Sequence, residues 1–139
     1  MSDLADSSVL VASLVPDDPD HEACDHLVAA LGLCIQLHAI AETFSTLTSG
    51  WENFRVDPAA AAEAIEQSIL PFVQTVALSA ADFLRAVKEA RSRGVRGGAI
   101  YDFLHLAAAR KVRAARLHTL NVRHFQSFHR PGDPEIVHP

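Results

Sequence analysis

Three acids stand alone in apolar surroundings. Asp6 lies in Ala5-Asp6-Ser7-Ser8-Val9-Leu10-Val11, Glu42 in Ala39-Ile40-Ala41-Glu42-Thr43-Phe44, and Asp102 in Ala99-Ile100-Tyr101-Asp102-Phe103-Leu104. Carboxylates are almost never fully buried unless paired or bound to a cation. Three of them, far apart in sequence yet each in core-like company, point to one shared site. A divalent cation explains why they tolerate one another. A donor set of few anionic oxygens, with positions left open for water, suits Mg2+ or Mn2+.

Each acid also has a purely structural reading. Asp6 suits a turn or helix cap ahead of Ser7-Ser8. Glu42 suits the first turn of a helix, where the dipole favours a negative charge. Asp102 is the sharpest of the three, because it lies on a helix that is apolar almost all round and therefore buried. Ser8 and Thr119 offer hydroxyls to support the acids, or else serve capping and strand packing. His105 falls three residues after Asp102 on the same helix face and reads as a satisfied or exposed histidine near the site. His118, His124 and His129 lack the spacing of a zinc motif. Cys24 and Cys34 have no metal-ligand spacing and read as free thiols in a helix and a strand.

The elements that must position these residues alternate. Leu4–Asp6 reads as a short strand, with Ser7 or Ser8 capping a helix through Val9–Leu14. A helix over His21–Leu31 follows Pro19 and ends at Gly32. Cys34–Leu37 is a strand, and a helix runs from about Ala39 to Leu47. Asp57-Pro58 is a cap followed by a first-turn proline, opening a helix over Ala59–Ile69. Phe72–Ala77 is a Val-rich strand. Ser79 caps a helix to about Arg93, in which Asp82 is a first-turn acid. A helix over Ala99–Ala115 and a strand over Leu117–Leu120 follow. Glu135–Val137 is an edge strand, or residues 127–139 form a loose C-terminal tail. This alternation implies an α/β sandwich of three layers, a mainly parallel central sheet flanked by helices, in one domain over 1–139. Ligands in such sheets bind beyond the carboxyl ends of the strands, near the switch in strand order. Asp6 and Asn121 fall just past strand ends there.

With 139 residues, 49% of them hydrophobic and 21% charged, the chain has the composition of a soluble globule. No apolar run reaches the roughly 18 residues that span a bilayer. The acidic N-terminus does not read as a signal peptide, so a cytoplasmic protein is expected. The net charge of −5 hides an asymmetry. Residues 1–84 carry one basic side chain, Arg55, against thirteen acids, for −12; residues 85–139 carry eleven against four, for +7. A basic half beside acidic cation ligands suits a protein that holds a polyanion. Arg110, Lys111, Arg113 and Arg116 are the candidates for phosphate contact, although cations at a helix end also favour its dipole. Trp51 and Phe54 form either a dimer patch or a small satellite cluster.

The order and spacing of the acids resemble the PIN-domain family and, within it, the VapC-type toxin ribonucleases. The pieces that carry the resemblance are Asp6-Ser7-Ser8-Val9-Leu10-Val11, His38-Ala39-Ile40-Ala41-Glu42 leading to Leu47-Thr48, Ile100-Tyr101-Asp102-Phe103-Leu104-His105-Leu106-Ala107, and Thr119-Leu120-Asn121-Val122-Arg123-His124-Phe125. Together they cover roughly residues 4 to 126. Two departures stand out: Asn121 occupies the place of a fourth acid, and the first strand is short. The resemblance implies Asp6, Glu42 and Asp102 as catalytic Mg2+ or Mn2+ ligands, with Asn121 a weaker one. It implies hydrolysis of RNA phosphodiester bonds to leave a 5′-phosphate, a homodimer, no membrane partner, and a VapB-like antitoxin whose tail occupies the acidic groove. The alternatives are a catalytically weak PIN-like binding module and a PIN ribonuclease of RNA processing without an antitoxin.

Overall fold

A computed structural model describes residues 2–50 and 55–139. Trp51 and Phe54, and the residue Met1 that opens the chain, lie outside the described residues. The elements run β1 (Leu4–Ala5), α1 (Ser7–Leu14), α2 (His21–Ala29), β2 (Leu33–Gln36), α3 (His38–Ser49), α4 (Pro58–Ser68), β3 (Val73–Val76), α5 (Ala80–Arg93), α6 (Ala99–Lys111), β4 (Arg116–His118), α7 (Val122–Phe128) and β5 (Glu135–Val137). All four strand pairings are parallel, in the order β3-β2-β1-β4-β5. The expected α/β sandwich is therefore present.

The pleat explains the layers. Leu4 faces one side of β1 and Ala5 the other, since successive side chains alternate. Leu4, Cys34, Leu117 and Ile136 pack with Ala86, Phe103, Leu106, Phe125 and Phe128 of α5, α6 and α7. Ala5, Leu33 and Ile35 pack with Val9, Leu10, Ala12, Cys24 and Val28 of α1 and α2. A strand buried on both faces needs no polar alternation. That is how a two-residue β1 holds the centre. It pairs with β2 and β4, and its ladder is lengthened by Asp3 O accepting from Cys34 N and Asp6 N donating to His118 O.

Local signals act where they were expected. Asp57 caps α4 with Pro58 in the first turn, Ser79 and Asp82 form a reciprocal capping box on α5, and Gly94 ends α5 in the left-handed region at φ 69°. Both cysteines are free and buried, and burial pushes the Cys24 thiol up to about 12.

Element ends shift by up to four residues, α6 stopping at Lys111 rather than Ala115 and β4 spanning Arg116–His118 rather than Leu117–Leu120, and three differences go further. The cap of α1 is Asp6, not Ser7 or Ser8, because its extended backbone brings Oδ1 to the amides of Ser8 and Val9. Helix α3 begins at His38, which places Glu42 in the second turn rather than the first. Residues 122–128, to which no element was assigned, form α7, whose Phe125 and Phe128 at i and i+3 are buried. Nor are residues 127–139 loose. Phe128 is a core residue, β5 joins the sheet beside β4, and buried Arg93 binds Asp133 and the Phe128 carbonyl. An arginine held by three acceptors fastens this segment to α5.

Candidate functional site

In this strand order the connections leave β1 on one side for β2 and β3 and return on the other for β4 and β5. The switch lies between β1 and β4, where the loops diverge and leave a crevice at the carboxyl ends. Asp6 follows β1 there, and Thr119 and Asn121 follow β4.

Asp6 is 2% exposed. Its Oδ1 accepts from Ser8 Oγ as well as from the α1 amides, and its Oδ2 accepts from Thr119 Oγ1 at 2.7 Å. Asn121 N donates to the same Thr119 hydroxyl at 3.0 Å, and Leu120 N to Ser8 Oγ at 3.0 Å. Ser8 and Thr119 thus link the two strand ends through the carboxylate. Burial raises the Asp6 pKa, with the charge of Asp102 adding to it and His105, Ser8 and Thr119 opposing.

Glu42 enters from α3 and Asp102 from the first turn of α6. Carboxylate oxygens of both, with a ring nitrogen of His105, lie within 4.8 Å of one another. His105 is wholly buried, and its Nε2 is 2.7 Å from Glu42 Oε1. His38 Nδ1 is 3.4 Å from the same oxygen. Burial pushes the Glu42 carboxyl up, but the hydrogen bond and charge of His105, with His38 beside it, hold it below the usual carboxylate range. Burial likewise pushes the His105 imidazole down, and the bond to Glu42 with the charges of Asp6, Glu42 and Asp102 wins, raising it. Asp102 Oδ2 lies 2.7 Å from His124 Nδ1.

The structure therefore brings Glu42 and Asp102 together, with Asp6 close enough for the charges of Asp102 and His105 to move its pKa. Asn121 is exposed, and its side chain makes no hydrogen bond among the described residues. His38 and His124 were missed as members, and His105 was placed near the site without a role in it. His38 stands one helical turn before Glu42, and His105 three residues after Asp102, so helical spacing carried both signals. Nothing short of the fold brings His124 to Asp102.

The basic candidates lie elsewhere. Arg110 and Lys111 end α6, at the opposite end from Asp102, and Arg116 begins β4, at the far end of the sheet from the crevice. Arg110 pairs with Glu89 and Asp133, Lys111 with Asp82 and the Ala77 carbonyl, and Arg116 with Asp3. Arg113, in a turn at φ 55°, follows the same end of α6. Charge asymmetry along the chain does not survive folding as a patch at the site, because these cations lie at the far end of α6 and the sheet, where Asp3, Asp82, Glu89 and Asp133 pair with three of them.

A carboxylate pair backed by a third, buried acid can hold a divalent cation through oxygen, and the histidines can fix the orientation of Glu42 and Asp102. The PIN domain family profile matches residues 4–130. No curated protein matches the chain in sequence. Among solved structures, the chain resembles VapC20 of Mycobacterium tuberculosis, described as a toxin that cleaves the sarcin-ricin loop, at 21% identity and a TM-score of 0.73, over 99% of this chain and 100% of that one. It resembles VapBC2 of Rickettsia felis, solved on a promoter DNA fragment, at 15% identity and 0.67, over 100% and 99%. It resembles FitAcB of Neisseria gonorrhoeae at 18% identity and 0.64, over 99% and 97%. Likeness at these identities concerns the fold; the profile match assigns the family. The chain belongs to the PIN-domain family of nucleases.

Proposed function

We propose that this PIN-domain protein is a metal-dependent endoribonuclease that hydrolyses RNA phosphodiester bonds and is the toxin of a VapBC-type pair. The observation that carries the reading is the meeting of Glu42 and Asp102, from α3 and α6, beside buried Asp6 at the sheet's switch point. The likeness to VapC20, VapBC2 and FitAcB supports the toxin assignment and a VapB-like antitoxin, and the homodimer is part of the same proposal. Among the described residues no helix is long and apolar enough to cross a membrane.

The donor set fits Mg2+ or Mn2+, with Glu42 and Asp102 as ligands, Asp6 behind them and Asn121 as a weaker, neutral one. The chemistry supplied by such an ion when bound is neutralisation of phosphate charge and acidification of water. The chain's own residues do the rest. His105 and His124 fix the carboxylates of Glu42 and Asp102, as supporting hydrogen bonds do around metal ligands generally. Ser8, Thr119 and two backbone amides fix Asp6. Hydrolysis adds one water across the P–O bond, leaving a 5′-phosphate on one fragment and a 3′-hydroxyl on the other.

The test is cleavage of RNA by the purified protein with Mg2+ or Mn2+, with chelator, and after Asp6→Asn, Glu42→Gln or Asp102→Asn. Chelation should abolish cleavage. Each substitution should lower the rate by about 100-fold or more, the usual scale for one lost electrostatic contact to a transition state. Full cleavage in EDTA would sink the reading. The second reading, a catalytically weak binding module, is favoured by the neutral side chain of Asn121, which makes no hydrogen bond among the described residues; it predicts RNA binding without new 5′-phosphate ends.

A further inference from the structure

We infer that His38 and Tyr101 form a stacking platform for one base of a single-stranded RNA, next to the phosphate that the carboxylates handle. The inference rests on the ribonuclease reading and adds how the substrate is gripped. The two rings come from different helices, α3 and α6, and stack with centroids 5.5 Å apart and planes 10° apart. Tyr101 immediately precedes Asp102, and His38 Nδ1 lies 3.4 Å from Glu42 Oε1. The platform therefore adjoins both acids of the crevice.

The exposure of the pair is its informative property. Tyr101 is 51% exposed, whereas its neighbours Phe103 and Leu104 on α6 are core residues. His38 is exposed as well. Tyrosine and histidine that serve only packing bury their rings and satisfy their polar tips. Here two flat rings are aligned and left in water at the mouth of the site. The stack covers part of each ring, and the exposure of both leaves ring surface open to a base. Single-stranded RNA offers flat, unstacked bases, and proteins that grip it place them on such faces. The salt-bridged cations at the far end of α6 cannot provide this grip, and an aromatic contact holds a base where a cation holds only a phosphate. Stacking tolerates any base, so the platform sets the register of the strand more than its sequence.

Single-turnover cleavage of short RNAs with Mn2+, scanned over protein concentration, separates half-saturation from the limiting rate. Tyr101→Ala should raise the half-saturating concentration on the order of 10- to 100-fold, the worth of one base–aromatic stack. The limiting rate, the melting temperature and Mn2+ affinity by calorimetry should change little. Tyr101→Trp should keep tight binding. A substrate with one abasic position next to the cut should lose the same factor against wild type and nothing further against Tyr101→Ala. Equal binding by wild type and Tyr101→Ala, or losses that multiply at every abasic position, would overturn the platform. A fall in melting temperature that Tyr101→Trp fails to rescue would mark the stack as a brace between α3 and α6 and overturn it too. Should wild type cleave nothing, the ribonuclease reading fails, and fluorescence anisotropy with the same oligonucleotides still decides whether Tyr101 binds a base.

Discussion

His105 Nε2 and Glu42 Oε1 lie 2.7 Å apart, sixty-three residues apart in the chain, with the imidazole sealed from solvent. The pair joins α6 to α3 at the mouth of the crevice. The charges of Asp6, Glu42 and Asp102 all act on it and favour its protonated form against the cost of burial. The acids thus have a partner inside the protein as well as a use for one outside it. Asp102 and His124 repeat the arrangement on α7.

Arg96 and Arg123, not the C-terminal cations of α6, are the basic residues next to the crevice. Arg96 precedes the helix that carries Asp102, and Arg123 precedes His124; both are exposed and neither forms an ion pair among the described residues. RNA affinity should fall with salt, and Arg96→Ala and Arg123→Ala should each lower the slope of log K against log salt by about 1. Arg110→Ala and Lys111→Ala should leave the slope unchanged. The reverse pattern, measured by anisotropy across a salt series, would return the RNA path to the far end of α6.

Asn121→Asp should tighten binding of a second cation. Its backbone amide donates to the hydroxyl that holds Asp6, and its side chain is uncommitted among the described residues. An added anion there completes an oxygen-rich set. Calorimetric titration with Mn2+ should show higher affinity or a second site. Identical isotherms for the two proteins would place residue 121 outside the ligand sphere.

Where signals were local, the sequence was legible. Asp57-Pro58 and Ser79 with Asp82 specify their helix starts through hydrogen bonds a few residues long. Asp6, Glu42 and Asp102 were readable because a charge in an apolar run demands a reason. What escaped is what only folding decides. Lys111 and Asp82, twenty-nine residues apart, neutralise each other on a surface no charge count can foresee. His105 looks on paper like any helical histidine until α3 delivers Glu42 to it. The attachment of β5 depends on Arg93 reaching forty residues to Asp133.

That attachment should be acid-sensitive. Burial pushes the Asp133 carboxyl up, but Arg93, the Arg130 amide and Arg110 outweigh it and hold it below the usual range. A lowered native pKa means the folded protein binds fewer protons than the unfolded chain. The stabilisation is therefore present above the ordinary carboxylate value of about 3.9 and is lost as pH falls through the lower native value. Asp133→Asn should cost about 3 kcal/mol at neutral pH, the usual price of leaving one member of a buried pair alone. The gap to wild type should close in acid. Denaturant titrations showing a constant gap down to strong acid would assign the cost to packing instead.

The remaining prediction concerns what His105 does for the three acids of the crevice. Its Nε2 is engaged by Glu42, which suits a brace and an electrostatic partner for the acids rather than a ligand. His105→Gln keeps a donor for Glu42 and removes the group that can take up a proton among the acids. In EDTA, Asp6, Glu42 and Asp102 then face one another without an internal offset, and the variant should melt several degrees below wild type. One to two kcal/mol shifts a domain of this size by roughly that much. Adding Mn2+ should narrow the deficit, because the ion binds only the folded state and replaces the missing positive charge. A histidine that itself ligated the ion would give the opposite sign, with the deficit widening as Mn2+ is added. Paired thermal scans of the two proteins with and without Mn2+ separate these outcomes. The sign of the change, rather than its size, assigns His105 to the brace or to the ligand set.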